Sequence, residues 1–427
     1  MIIHVVKYGD TIQSIAEQYG ISVDKLIQDN GLKNPNALAI GQSIVIASPE
    51  TTYTVQEGDT LQNIADYYNV SLIQLLANNP YLSDREYIYP GDTIVISYDK
   101  KETITTHGNT VPTINNETLR KTLPFLTYLS ILNYTATKEG EIISYYDDTE
   151  IIQISRAYGV APLMLLTTLT IQGVANIQTD FDLLLNEEFQ NRQIKNILTI
   201  LKAKGYFGLN LSLQYISLSN IQLYDNYFAK VTNRLNEEGY QVFVTINPNI
   251  TEVNDELSFQ KVDYSLINRL AQNIIFMSYE WASNISPPSP ISSIYKTEVF
   301  LNYILRFIPP EKIIIGIATL GYDWELPYVA GISNVNNLSF DNVSNLAYNY
   351  GEVINFDNVS QTPYFTYTTN DKINHIVWFI DSQTINATLD LITKYNLKGI
   401  SIWNINVFNP QLWLIVISNY NIEKILF

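Results

Sequence analysis

The chain has 427 residues, enough for two or three domains with real cores. Its 42 Asp and Glu against 25 Lys and Arg leave a formal net charge of −17, a surface that repels phosphate backbones and argues against nucleic acid or an anionic membrane as the main partner. Cysteine is absent and histidine occurs only at His4, His107 and His375, so disulfides, thiolate nucleophiles and Cys-ligated zinc are excluded, a His-rich metal site is disfavoured, and no cofactor is expected.

At the N-terminus, Met1 to Val6 runs straight into a turn without the cationic start and apolar stretch of a secretory signal, so synthesis and folding in the cytosol are expected. No segment reaches the roughly 18 apolar residues of a membrane span. Tyr8-Gly-Asp-Thr-Ile-Gln-Ser-Ile-Ala-Glu-Gln-Tyr19 then recurs as Glu57-Gly-Asp-Thr-Leu-Gln-Asn-Ile-Ala-Asp-Tyr-Tyr68. Each copy continues alike, through Asp29-Asn30 or Asn78-Asn79, to a closing Ile-Val-Ile run. Val5 and Val55 lie in short β-type runs, Asp10-Thr11 and Asp59-Thr60 can cap a first helix, and Ser22 and Ser71 can cap a second. The expected unit is β-α-α-β, with a very small core.

This unit resembles the LysM domain, over residues 1–47 and 51–97. The resemblance implies binding of glycans that contain N-acetylglucosamine, in a shallow groove between the loop after the first strand and the loop before the second. Carried over, the groove takes in Gly9, Asp10, Thr11, Asn30, Gly31 and Leu32, and in the second copy Gly58, Asp59, Thr60, Asn79, Pro80, Tyr81 and Leu82. Asp-Thr and Gly also serve simply as helix cap and turn, and the two roles are compatible.

Residues 98–119 are polar, rich in Thr and Asn, and read as a linker. From residue 120 to 427 the chain alternates apolar runs with amphipathic stretches. The strands expected are Phe125–Tyr134, Leu163–Leu169, Gly208–Gln214, Val242–Asn247, Ile274–Tyr279, Ile313–Thr319, Ile376–Phe379 and Gly399–Trp403. Eight strands separated by helices predict an α/β fold, a (β/α)₈ TIM barrel, with a small α+β insertion at about 322–372 after the sixth strand.

Barrel enzymes work at the carboxyl ends of their strands. In Lys204-Gly-Tyr-Phe-Gly-Leu-Asn-Leu-Ser-Leu-Gln-Tyr-Ile216, alternation puts Asn210, Ser212 and Gln214 on one face of the third expected strand. Polar side chains pointing into a barrel are costly unless hydrogen-bonded, so this row marks a site or the remnant of one. The segment resembles glycoside hydrolase family 18, in particular its spore cortex-lytic N-acetylglucosaminidases. Leu123-Pro-Phe-Leu-Thr-Tyr, Ala157-Tyr-Gly-Val-Ala-Pro-Leu-Met, Phe276-Met-Ser-Tyr-Glu-Trp281, Gly321-Tyr-Asp-Trp-Glu-Leu-Pro-Tyr328 and Gly399-Ile-Ser-Ile-Trp403 carry the likeness along nearly the whole chain.

The family's catalytic strand has the form Asp-x-x-Asp-x-Asp-x-Glu, and its positions here hold Phe207, Asn210, Ser212 and Gln214. The resemblance implies that the final Glu protonates the leaving oxygen while the substrate's acetamido carbonyl attacks the anomeric carbon, with the preceding Asp steadying the positive oxazolinium. Gln214 has no acidic proton to deliver, and Ser212 offers a hydroxyl where negative charge is needed. Tyr279 matches the tyrosine that bonds the acetamido carbonyl and Trp403 the tryptophan under the sugar ring. Met277 and Glu280 complete the floor, with Tyr322 and Trp324 as rim aromatics.

The leading expectation is a catalytically silent barrel that binds peptidoglycan or a related glycan in a spore layer, anchored by two LysM units. The alternatives are an active N-acetylglucosaminidase whose acid is relocated to Glu280, Asp323 or Glu325, and a purely structural spore-layer protein that contacts other proteins of that layer. The 31 tyrosines and 5 tryptophans suit a sugar-stacking surface.

Overall fold

The computed structural model describes residues 1–84, 87–100, 102–168, 182–213, 221–248, 250–253, 256–259, 262–278, 286–425 and 427. The first unit runs β1 (Ile2–Val5), α1 (Ile12–Tyr19), α2 (Val23–Asn30) and β2 (Ser43–Ile46), with β1 and β2 antiparallel. The second repeats it as β3 (Thr51–Thr54), α3 (Leu61–Tyr68), α4 (Leu72–Asn78) and β4 (Thr93–Ser97). Thr11 and Thr60 cap their helices by accepting from the amides of Ser14 at 3.0 Å and Asn63 at 3.1 Å. Ser22 and Ser71 do the same for α2 and α4.

Each unit encloses only a handful of apolar side chains, around Ile15, Leu26 and Ile44 or Ile64, Leu75 and Ile94. Such cores are marginal alone, and both units lean on the larger body. Val45, Ala47, Ala77 and Val95 join its core. The Gln411 amide donates to Asn30 Oδ1 at 3.0 Å and to the Ser43 carbonyl at 2.9 Å, and the Ile354 amide donates to Ile40 O at 2.9 Å.

That body is a closed barrel. Its strands are β5 (Glu102–Thr110), β6 (Tyr128–Ala136), β8 (Ala161–Thr167), β9 (Gly208–Leu213), β10 (Gln241–Ile246), β13 (Asn273–Phe276), β14 (Ile313–Ala318) and β20 (Gly399–Trp403). All neighbours are parallel, and β5 pairs with both β6 and β20, which leaves no free edge. A short strand β7 (Ile142–Ser144) flanks β6, and β11 (Thr251–Val253) and β12 (Glu256–Ser258) form a hairpin. The barrel helices are α5 (Asn116–Thr122), α6 (Thr149–Ala157), α7 (Glu187–Lys204), α8 (Ile221–Glu237), α9 (Tyr264–Leu270) and α10 (Ile294–Ile304). Tyr128, Leu163, Phe243, Ile275 and Ile314 fill the lower lumen, so ligands are restricted to the upper, C-terminal end.

Between β14 and β20 lies an insertion of β15 (Gly321–Leu326), β16 (Val335–Leu338), α11 (Phe340–Tyr350), β17 (Asn355–Asp357), β18 (Thr362–Thr368) and β19 (Asn374–Phe379). Its sheet is antiparallel in the order β16-β15-β19-β18-β17. Helix α12 (Ser382–Tyr395) returns the chain to β20, and α13 (Pro410–Asn419) and β21 (Tyr420–Ile422) close it. No helix among the described residues is long and apolar enough to cross a membrane.

Two expectations are corrected. The segment read as a linker contains the first barrel strand and the start of α5; the strand is hidden in the sequence because Glu102–Thr110 turns Thr105, His107 and Asn109 rather than apolar residues toward the lumen, and so lacks the usual alternation. Ile376–Phe379 belongs to the insertion and pairs antiparallel with β15 and β18. The insertion therefore follows the seventh barrel strand rather than the sixth, and the Asn210–Ser212 strand is the fourth.

Candidate active site

A polar layer crosses the lumen above the apolar plug. His107 Nδ1 lies 2.8 Å from Ser401 Oγ and Nε2 lies 2.7 Å from Ser130 Oγ. Asn210 donates to the same Ser130 oxygen at 3.0 Å and accepts from Thr245 Oγ1 at 2.9 Å, while Asn109 donates to Ser401 Oγ at 3.2 Å. Burial pushes the His107 imidazole down to about 3, so the ring is neutral near pH 7. Ser130 and Ser401 each accept from an asparagine amide and each keep a hydroxyl proton of their own, so the neutral ring donates to one serine and accepts from the other. Asn210 is thus held on both sides, and β9 is fixed by strands on either flank. His107, Ser130, Thr245 and Ser401 were not singled out from sequence; the Thr105-His107-Asn109 alternation was the available signal.

Ser212 follows two residues on, on the same face of β9 and toward its C-terminal end, 9% exposed. Trp403 ends β20, in register with Asn109 and Ala318 and partly buried against the core. Met277 follows directly on β13. Gln214, Tyr279 and Glu280 lie outside the described residues.

Tyr322 and Trp324 are not rim aromatics. β15 turns both into the main core, where Trp324 is 1% exposed and its indole donates to Ser286 O at 3.2 Å. Strand alternation sends Asp323 the other way, where it accepts from Tyr367 at 2.8 Å and lies 2.9 Å from His375 Nδ1. Glu325 accepts from Asn334 at 3.1 Å.

In the LysM units Gly9, Thr11, Gly58 and Thr60 are exposed, and both glycines take the positive φ of +89° that their turns require. Asp10 and Asp59 close those turns by accepting from the Lys7 and Gln56 amides, each at 2.7 Å. Asn30 and Asn79 do not present their side chains to a groove. Both are buried and spend their amides on backbone: Asn79 donates to Leu75 O at 2.9 Å and Val95 O at 2.7 Å and accepts from Val95 N at 2.8 Å. Asn30 does the same with Leu26 and Val45. Gly31 abuts the barrel, where an added Cβ would stand 2.6 Å from Pro410 Cγ. Leu32 packs partly buried on the first unit's core. Pro80 opens a single 3₁₀ turn, Tyr81 donates to Thr93 O at 2.9 Å, and Leu82 is core.

Asn79→Ala removes the partners of a buried N–H and C=O, a loss of about 1–3 kcal/mol for each orphaned group. The expected result is faster hydrogen exchange at the Val95 amide and across 51–97, against unchanged exchange if the pin is dispensable.

Beside the lumen, a cavity of about 580 Å³ opens at the C-terminal ends of β10 and β13, bounded by Asn247, Met277, Ser278, the start of α10 and the 357–360 turn of the insertion. No group of His, Asp and Glu suited to a metal ion occurs among the described residues.

Residues 133–407 match the model for glycosyl hydrolases family 18. The chain belongs to that family. Residues 4–47 and 53–97 match the LysM domain. The chain is 30% identical over 430 residues to the cortical fragment-lytic enzyme of Bacillus subtilis, covering 99% of each. It is also 30% identical over 425 residues to that of Bacillus anthracis, covering 98% of each. The crystal structure of the spore cortex-lytic enzyme SleL of Bacillus megaterium matches with a TM-score of 0.81 at 30% identity, over 99% of both chains.

Proposed function

We propose that this family 18 chain binds N-acetylglucosamine-containing strands of spore peptidoglycan without cutting them, its LysM units and barrel acting as one glycan-binding body in the cortex or coat. The observation that carries this is Ser212, a hydroxyl on the lumen face of β9 at the position where the family pattern has Asp, followed in sequence by Gln214 in place of Glu. Among the described residues, the eight barrel strands hold one carboxylate, Glu102, at the start of β5 and far from the C-terminal end. The relatives named for cortex lysis support the glycan class and the spore setting.

Full-length protein is expected to sediment with insoluble peptidoglycan and to bind N-acetylglucosamine oligomers, with Trp403→Ala weakening the barrel's share about tenfold. Absence of binding by the native chain would remove the reading. A second reading, an N-acetylglucosaminidase with a relocated acid, draws on the lytic relatives. With Asp323 and Glu325 engaged elsewhere it rests on Glu280, and activity abolished by Glu280→Gln would select it.

A further inference from the structure

On its outer wall the barrel departs from the acidic balance of the chain. A groove of about 650 Å³ between α7 and α8 is lined by Lys195, Lys202, Lys230 and Arg234 and by one carboxylate, Glu238, whereas the whole chain has 42 acids against 25 bases. Lys230 is answered by Glu187 at 3.1 Å, and Arg234 by Glu237 at 3.5 Å and Glu238 at 2.6 Å. Lys195 and Lys202 are exposed and form no ion pair among the described residues, so they are the uncompensated charges of the groove and favour an anionic partner.

The two lysines stand seven residues apart on α7, about 10 Å along its axis at 1.5 Å per residue. Leu198 lies between them on the same helix, and Leu198 and Tyr240 are both partly buried against the main core, so the floor of the groove is apolar. The Tyr240 hydroxyl has no partner among the described residues and is a free donor there. Lys202 is near the end of α7 and Tyr240 directly precedes β10, so the groove reaches toward the N-terminal end of the barrel, away from the end at which lumen ligands enter.

Spacing selects among anions. A phosphate polymer or an anionic lipid surface presents closely set charge, which would face Glu238 and leave charged groups against Leu198 and Tyr240. An amphipathic helix with acids at i and i+7 and apolar residues at i+3 and i+4 repeats the pattern of α7 with the opposite charge. Laid between α7 and α8, it sets its carboxylates at Lys195 and Lys202 and its apolar face on the floor between them.

We propose that the groove between α7 and α8 docks an acidic amphipathic helix of a partner protein, held by Lys195 and Lys202 across the Leu198 and Tyr240 floor. This surface goes beyond glycan binding and does not depend on it. The probe is a labelled peptide of Glu-Gln-Gln-Leu-Leu-Gln-Gln repeats, titrated into the full-length chain by fluorescence anisotropy, with hydrogen exchange to locate it. Peptides covering 191–204 and 228–240 are expected to gain protection. Affinity should fall about tenfold when Lys195→Glu and Lys202→Glu are combined, and should weaken with added salt. Both lysines are exposed, so the variant should keep the circular dichroism and unfolding midpoint of the native chain. A probe with Ser in place of Leu should also bind more weakly, because the floor is apolar. Absence of binding by the native chain, protection confined to other segments, or affinity indifferent to the paired lysine changes would overturn the proposal. Tighter binding at this groove of inorganic polyphosphate or phosphatidylglycerol vesicles would overturn it in favour of those anions, and self-association of the native chain lost in the variant would assign the groove to a second copy.

Discussion

Ser212→Asp combined with Gln214→Glu is expected to give the chain measurable turnover of N-acetylglucosamine-containing strands, at least about 10²-fold above the native protein. In the family's chemistry the acetamido oxygen of the substrate forms a bond to the anomeric carbon as the glycosidic bond breaks, and the departing oxygen takes a proton from the acid. A carboxylic acid at 214 supplies that proton, a contribution of about 10²–10⁴-fold. A carboxylate at 212 faces the cationic ring that forms in the same step and removes a second deficit of comparable size. Each single change leaves the other deficit in place, so the singles should stay near the blank. The double variant acts on a strand whose position is already set by Asn210 between Ser130 and Thr245. Reducing-end release from cortex fragments reads the outcome, and a folded, glycan-binding double variant without activity would show that more than these two groups has been lost.

The second large effect concerns stability. Asp148→Ala is expected to lower the unfolding free energy by about 2–6 kcal/mol, at about 1–3 kcal/mol for each of the two buried tyrosine hydroxyls it leaves without an acceptor, while Lys204 keeps its pairing with Asp147. Asp148 is fully buried beside α6 and accepts from the Tyr134 and Tyr206 hydroxyls, each at 2.6 Å, and from Asn133 at 3.0 Å, with the Lys204 ammonium 3.1 Å from its other oxygen. Burial alone would push this carboxyl up; the two tyrosines, Asn133 and Lys204 together outweigh it and leave it below its ordinary value. A carboxyl depressed in the folded state contributes stability that is complete above its unfolded value, near about 4, and is lost as pH falls through the folded value. Denaturant titrations should therefore show a gap between native and Asp148→Ala proteins that is full at pH 7 and shrinks on acidification below about pH 4. A gap independent of pH would assign the loss to packing.

Much of the architecture was legible because local signals agreed with one another. The two small units were readable from repeated Gly-Asp-Thr turns, and the caps sit where Thr11, Ser22, Thr60 and Ser71 suggest. Most barrel strands were apolar runs buried on both faces. The first strand was hidden because its lumen face carries Thr105, His107 and Asn109, whose partners on β6 and β20 are remote in sequence. The aromatic pair Tyr322 and Trp324 was misplaced for a related reason: composition marks an aromatic but not the side of a strand that meets the core. Asn30 and Asn79 show the same limit, since a helix-ending asparagine looks identical whether it meets a sugar or pins a strand.

The most direct test of catalytic silence is an assay of the native, full-length protein on purified cortex fragments, scored by new reducing ends. Catalytic silence predicts a signal equal to the buffer blank while the protein is demonstrably bound to the fragments. Sustained release by the native chain that disappears in Gln214→Ala would contradict it.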